Sequence, residues 1–196
     1  VIGLDCGTPQ LLFRDFAAEV PNIRKLMDGG MRGELASITP PITVPAWACA
    51  MTGKTPGQLG IYGFRNRKDN TYDGLSIATS DAVKEPAVWD LLGRTGSRSL
   101  LIGVPPSYPP KAVEGWRVGC FLTPPSNKGY THPAEVQAEI EEELGGPDHY
   151  IFDIPNFREQ GMELVLDQVF KMTERRFRVA RRLARTGPMP MISGAQ

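Results

Sequence analysis

The sequence predicts an α/β domain with a largely parallel sheet flanked by helices. Short apolar runs that end in small or acidic residues alternate with amphipathic stretches, and proline or glycine bounds many of those stretches. The chain of 196 residues is long enough for one sizeable core. We therefore expect one domain over residues 1–187. Residues 188–196 have neither period nor charge, and we expect them to form a frayed or unrelated tail.

The predicted elements follow one another along the chain, with prolines at helix starts and glycines at helix ends. Predicted strands occupy residues 1–5 (VIGLD), 33–40, 99–105 and 115–121. Predicted helices occupy residues 9–20, 21–30, 45–53, 87–96, 132–146 and about 160–185. On the last helix, one apolar face is expected to pack on the core while the basic face is solvated. That apolar face comprises Leu166, Val169, Phe170, Phe177, Ala180 and Ala184.

The composition excludes several classes of protein. Acidic and basic residues number 22 each, so no global field attracts nucleic acid or an anionic membrane. The sequence contains no run of about 18 apolar residues, so we expect no membrane-spanning helix. The three cysteines are widely spaced and form no CxxC pair, which argues against a disulfide framework or a cysteine zinc site. Unpaired cysteines slightly favour a cytoplasmic location, and a start inside an apolar run without Met predicts that the natural start lies upstream.

Two residues are candidates for chemistry. Asp5 ends the first predicted strand, where open α/β sheets bind ligands, so it is a candidate metal ligand or else a cap of the next turn. Thr43 lies two residues before Pro45, the predicted first turn of a helix. The N–H groups and positive dipole end there attract phosphate and stabilise an alkoxide, although a capping threonine explains the same position.

The order of these elements carries a resemblance. Asp5, then Thr-x-Pro at residues 43–45 with Trp47, then MTGKTPGQLGIYGF resemble the type I phosphodiesterase/nucleotide pyrophosphatase family of the alkaline phosphatase superfamily. The resemblance continues through PAVWDLLGRTG, VPPSYPP and GCFLTPPSNKGYTHPAEV to about Thr186. It implies an alkaline phosphatase-like fold, with residues 1–187 as the amino-terminal part of the catalytic domain.

The resemblance also implies a reaction. Asp5 would bind one metal of a two-metal, usually zinc, site, and Thr43 would be the nucleophile and touch a metal. The substrate would be a small-molecule phosphate ester. Metal coordination is one of the few ways to ionise a threonine hydroxyl, and two cations about 4 Å apart hold the attacking and leaving oxygens in line. Ala46 stands where many nucleotide pyrophosphatases have an asparagine, which puts nucleotide substrates in doubt.

Further metal ligands of the family are missing. The family pattern needs more Asp and His ligands, but the chain has two histidines. We assign Asp148-His149 to a solvated loop and His132 to a local cap or the surface, and we expect the remaining ligands downstream of Gly187. The chain alone is then expected to lack activity. The alternative is an incomplete, non-catalytic domain that at most binds a phosphate-bearing ligand or a metal.

The loop after Gly63 offers a further set of cations with two interpretations. They either meet an anionic substrate or are solvated loop charges. The residues concerned are Arg65, Arg67 and Lys68.

Overall fold

The computed structural model describes residues 1–69, 71–125 and 129–187. The chain divides into two compact units, Val1–Thr39 and Pro40–Gln196, called here the amino-terminal unit and the main unit. The predicted tail at residues 188–196 lies outside the described residues. The boundary predicted at residue 187 stays a prediction.

The amino-terminal unit contains two helical segments. A π-helical segment covers Gln10–Asp15, and helix α1 covers Pro21–Gly29 with proline in its first turn. The strands predicted at residues 1–5 and 33–40 are absent from this unit. Instead, the Gly7 and Thr8 amides donate to the Leu4 and Cys6 carbonyls at 3.2 and 2.9 Å, which forms local turns. An apolar run predicts burial, but a strand also needs a partner for its ladder.

Five α-helices lie among the described residues of the main unit; the one over residues 56–59 was not predicted, and the other four lie near predicted helices. They are α2 Thr43–Thr52, α3 Pro56–Leu59, α4 Val88–Arg94, α5 Val136–Leu144 and α6 Met162–Thr186. A 3₁₀ turn covers Ser80–Ala82. Helices α2 and α5 end at Gly53 and Gly145, whose φ values of 69° and 81° are left-handed. Glycine adopts that conformation without steric cost, so the predicted helix ends are confirmed.

The strands of the main unit form two small sheets. Strands β1 Arg65–Arg67 and β2 Leu75–Ile77 pair antiparallel. Strand β4 Gly115–Val118 lies between β3 Ser99–Ile102, which is parallel to it, and β5 Thr131–His132, which is antiparallel. The mixed α/β class is confirmed. Among the described residues the sheets are smaller and less parallel than the sequence predicts, because two of the predicted strands do not pair.

Two apolar clusters form the core of the main unit. The larger one packs α5 and α6 against β4 through side chains that are almost fully buried. Its members are Val118, Tyr130, Val136, Ile140, Tyr150, Phe152, Val179 and Leu183. The smaller cluster fixes α2 through Val44, Ala48, Ile61 and Ala78. Each fully buried aliphatic side chain contributes roughly 1.5–3 kcal/mol.

Helix α6 is rotated relative to the sequence prediction. Its buried residues are Val179 and Leu183, whereas the predicted core residue Phe170 is 71 % exposed. Leu166, Val169, Phe177 and Ala184 are exposed as well, and Ala180 is half-buried. Ion pairs with α5 accompany this rotation: Arg178 Nε lies 3.0 Å from Glu143, and Arg182 Nε lies 3.6 Å from Glu139. The helix has two apolar stripes, and periodicity alone does not tell which one meets the sheet.

Candidate functional site

Thr43 is the first residue of α2. The preceding residue Ile42 has an extended backbone, and its carbonyl accepts the Ala46 amide at 3.0 Å. The helix therefore begins at Thr43 and not near Pro45, so the prediction that Thr43 lies just outside the helix was wrong by two residues. Pro45 fits the first turn because the first amides of a helix have no intrahelical acceptor. The capping position belongs to Ile42 and not to Thr43.

The first turn of α2 is anchored in the core. Val44 is fully buried, and Ala48 one turn later is buried beside Ile61 and Ala78. Thr43, which precedes Val44, is half-buried. A residue at this position has part of its surface open while its backbone is held by packing on the neighbouring side chains. Such a fixed position suits a group that must meet a ligand in one orientation.

The electrostatics of this helix start favour an anion. The positive end of the helix dipole lies there, and no acidic residue occupies the first turn of α2. Amide groups at the amino end of a helix bind phosphate directly. The first turn of α2 can therefore hold a phosphoryl group beside Thr43.

Asp5 lies in the amino-terminal unit, whereas Thr43 lies in the main unit. Asp5 is exposed in a turn, and the next residue, Cys6, has a φ of 57°. The sequence predicts a strand end at this position, so its local structure differs from the expectation. The assignment of Asp5 and Thr43 as ligands of one metal stays a prediction.

The described residues provide too few metal ligands for the expected site. Within residues 1–69, 71–125 and 129–187, no group of three or more His, Cys, Asp or Glu side chains can hold a metal ion. Zinc sites supply three or four protein ligands, so this part of the chain does not by itself fit a two-zinc centre.

The two histidines lie in different surroundings. His132 is half-buried in the edge strand β5 opposite Arg117, so it does not cap a helix, and its partial exposure is compatible with the expected surface position. Asp148 and His149 are exposed after α5, and His149 Nδ1 lies 2.9 Å from the Leu144 carbonyl oxygen. That exposure agrees with a solvated loop.

The cations after Gly63 are all exposed. Arg65 and Arg67 belong to β1, and Lys68 follows it. The Arg67 guanidinium lies 3.9 Å from the centroid of the Tyr72 ring. Substrate contact and simple solvation both remain compatible with these positions.

A cavity that no sequence motif indicates lies at the other end of α2. The cavity has a volume of about 350 Å³, and its lining includes Met51, Trp89, Lys111 and Arg117. One signal was present: an arginine stands in the strand sequence GWRVG, where its neighbours predict burial. A buried arginine needs partners that compensate its charge.

Comparison with known protein families identified a match. A family model described as type I phosphodiesterase / nucleotide pyrophosphatase matches residues 1–187. Searches of curated proteins and of solved structures returned no significant match. In the part of the chain that the structure describes, no helix combines the length and apolar character needed to cross a membrane.

Proposed function

Because the chain belongs to the type I phosphodiesterase/nucleotide pyrophosphatase family, we propose that it forms part of a phosphate ester hydrolase with Thr43 as nucleophile. The family's name assigns it to hydrolysis of phosphodiester and pyrophosphate bonds. We further propose an alkaline phosphatase-like fold and a small-molecule phosphate ester as substrate. The observation that carries the proposal is the position of Thr43 as the first residue of a core-anchored helix.

The proposed reaction has two displacements at phosphorus. The Thr43 hydroxyl loses its proton, its oxygen forms a bond to phosphorus, and the ester oxygen leaves as an alcohol after it takes up a proton. Water then attacks the phospho-threonine, releases phosphate or a phosphate monoester, and returns the hydroxyl to Thr43. The amide groups and dipole at the start of α2 stabilise negative charge on the phosphoryl oxygens in both steps.

The family is generally metal-dependent, and we propose two divalent ions, of the zinc type, with Asp5 and Thr43 among their ligands. The described residues contain no three-ligand group that fits such an ion. Further ligands must therefore come from outside the described residues for the site to form. No step of the reaction above is assigned to a metal.

The absence of a three-ligand group among the described residues leads to a second proposal, which concerns the isolated chain. Because the described residues contain no three-ligand group to retain an ion, the 196-residue chain alone is expected to have negligible hydrolase activity. In the alternative function the chain is an incomplete, non-catalytic domain that at most binds a phosphate-bearing ligand or a metal. The absence of a three-ligand group among the described residues favours this alternative for the isolated chain.

Hydrolysis of bis(4-nitrophenyl) phosphate separates these possibilities. The assay compares the 196-residue chain with the product of the complete open reading frame in which it occurs, each with zinc and with a chelator. The complete product is expected to turn over the diester, to lose activity with chelator, and to lose it in Thr43→Ala. Thr173→Ala is the matched control, because this exposed helical hydroxyl donates to the Val169 carbonyl and lies on α6.

Each outcome bears on one part of the proposal. Wild-type turnover in Thr43→Ala would remove the nucleophile assignment. Clear turnover by the 196-residue chain would contradict its proposed inactivity. If the complete product did not hydrolyse bis(4-nitrophenyl) phosphate with zinc present, the non-catalytic alternative would replace the enzymatic one.

A further inference from the structure

A cavity of about 350 Å³ lies in the main unit, away from the start of α2. Met51 and Thr52, at the carboxyl end of α2, line it, whereas Thr43 is at the amino end. A ten-residue helix is about 15 Å long, and the lining residue of α2 nearest to Thr43 in sequence is Ala48, more than one turn away, so the cavity is separate from the proposed nucleophile. Much of its wall is apolar, with Ala48, Trp89 and Pro105 among the lining residues.

Arg117 is the unusual residue of this cavity. It is 4 % exposed in the middle of the β3-β4-β5 sheet, and its side chain lines the cavity. Among the described residues, its Nε is buried without a hydrogen-bond partner, and no carboxylate lies within 4.0 Å to form a salt bridge with it. A buried charge without a partner is costly, so the free chain holds an incompletely compensated guanidinium.

Two neighbours compensate Arg117 in part. Its guanidinium carbon lies 5.2 Å from the centroid of the Trp89 ring, within range of a cation–π contact. Burial lowers the pKa of Arg117, while the nearby charge of Asp90 raises it. The Asp90 carboxylate is itself engaged, because its Oδ2 accepts the Ala87 amide at 2.8 Å. Among the described residues, neither Trp89 nor Asp90 forms a salt bridge with the Arg117 guanidinium.

The other charges of the lining add to a positive field. Lys84, Arg94 and Lys111 line the cavity together with Arg117, against two carboxylates, Glu85 and Asp90. Glu85 is partly neutralised by Lys54, whose Nζ lies 3.8 Å from its Oε2. Lys111 is held at the rim, since its Nζ donates to the Val83 carbonyl at 3.0 Å.

We propose that this cavity binds a small aromatic carboxylate, whose carboxylate accepts hydrogen bonds from Arg117 and whose ring packs against Trp89 and the apolar wall. A planar guanidinium binds a carboxylate through two parallel hydrogen bonds, one of which would supply the partner that the Arg117 Nε lacks among the described residues. The volume is within the usual range for a small-molecule site, and the lining combines apolar side chains with charged ones that can orient a ligand.

Calorimetric titration with benzoate at low ionic strength tests this site. The wild-type chain is expected to bind one benzoate saturably, and Arg117→Met is expected to weaken binding about tenfold or more because the charged hydrogen bonds are lost. Lys111→Gln, at the rim, is expected to weaken binding only a few-fold. Two variants serve as controls expected to leave affinity unchanged: Arg185→Gln on the exposed end of α6, and Thr43→Ala.

The neutral isostere benzamide separates charge recognition from burial of a ring, and it is expected not to bind. Circular dichroism of Arg117→Met shows whether the variant folds; if it does not, Arg117→Lys provides the comparison, because lysine keeps the charge but not the bidentate geometry. Absence of saturable benzoate binding to the wild type would overturn the proposal. So would equal binding of benzamide, wild-type affinity in a folded Arg117 variant, or loss of binding in Thr43→Ala alone.

Discussion

Replacing Arg117 with methionine is expected to raise the free energy of unfolding. Arginine side chains usually lie at the surface, but this one is 4 % exposed, and its Nε has no hydrogen-bond partner among the described residues. Methionine is flexible and unbranched, so it can occupy much of the same space without a charge. The substitution removes a buried cation and keeps the apolar contacts of β4.

Opposing contributions set the magnitude. Removing the unpartnered charged donor returns about 1–3 kcal/mol of desolvation cost. Loss of the contact with Trp89, at 5.2 Å from the guanidinium carbon, subtracts about 0.5–2 kcal/mol. Loss of the attraction to Asp90 subtracts a further small amount. We expect a net stabilisation of about 1 kcal/mol, in line with the gains seen when buried ions are replaced by apolar residues.

Urea unfolding monitored by circular dichroism at neutral pH measures this change. The midpoint is expected to rise while the slope with urea stays constant, since the surface exposed on unfolding changes little. Arg185→Met is the matched control, because Arg185 is exposed in the last turn of α6 and is expected to change the midpoint very little. A loss of stability greater than about 1 kcal/mol in Arg117→Met would refute the reasoning. It would mean that Trp89 and Asp90 fully compensate the guanidinium.

Three further predictions concern the core and the thiols. Leu183→Ala removes a fully buried side chain of α6 and is expected to lower the free energy of unfolding in urea by about 2–5 kcal/mol. Phe177→Ala, at an exposed position of the same helix, is expected to lower it far less. Equal losses in the two variants would contradict the rotation of α6. Burial raises the pKa of Tyr150 from 10.0 to about 12, so the unfolded state loses this proton first and the free energy of unfolding falls as pH rises from about 10 to 12. The fall is up to about 1.4 kcal/mol per pH unit, and a pH series of urea melts is expected to be flatter for Tyr150→Phe. Cys6 is exposed whereas Cys49 is buried, with a pKa raised by burial, so a thiol reagent is expected to label Cys6 first; peptide mapping that finds Cys49 first would contradict this order.

Much of the helical structure could be predicted because its signals are local. Proline in the first turn of α1 and glycine after α2 and α5 mark ends that the structure confirms. The same local signals placed Thr43 at a helix start, with an error of two residues. Helix hydrogen bonds join residues four apart, so a short stretch of sequence contains most of the information that forms them.

Strand pairing could not be predicted in the same way. The run at residues 1–5 predicts a strand as strongly as SLLIGVP does, but in the structure only the second pairs, between Ser99 and Ile102. A ladder needs a distant partner, and an apolar run contains no information on its direction or register. The position of Asp5 at a strand end was inferred from such a run, and it was wrong for this reason.

The sequence by itself determined where α2 and α5 end, that a helix starts within two residues of Thr43, and the family to which residues 1–187 belong. The tertiary structure alone decided which stripe of α6 is buried, which strands pair, and that Arg117 lines a cavity beside Trp89. The physical reason is the range of the interactions. Helix hydrogen bonds and end signals act within a few residues, whereas burial, pairing and charge compensation depend on side chains that the fold brings together from distant positions.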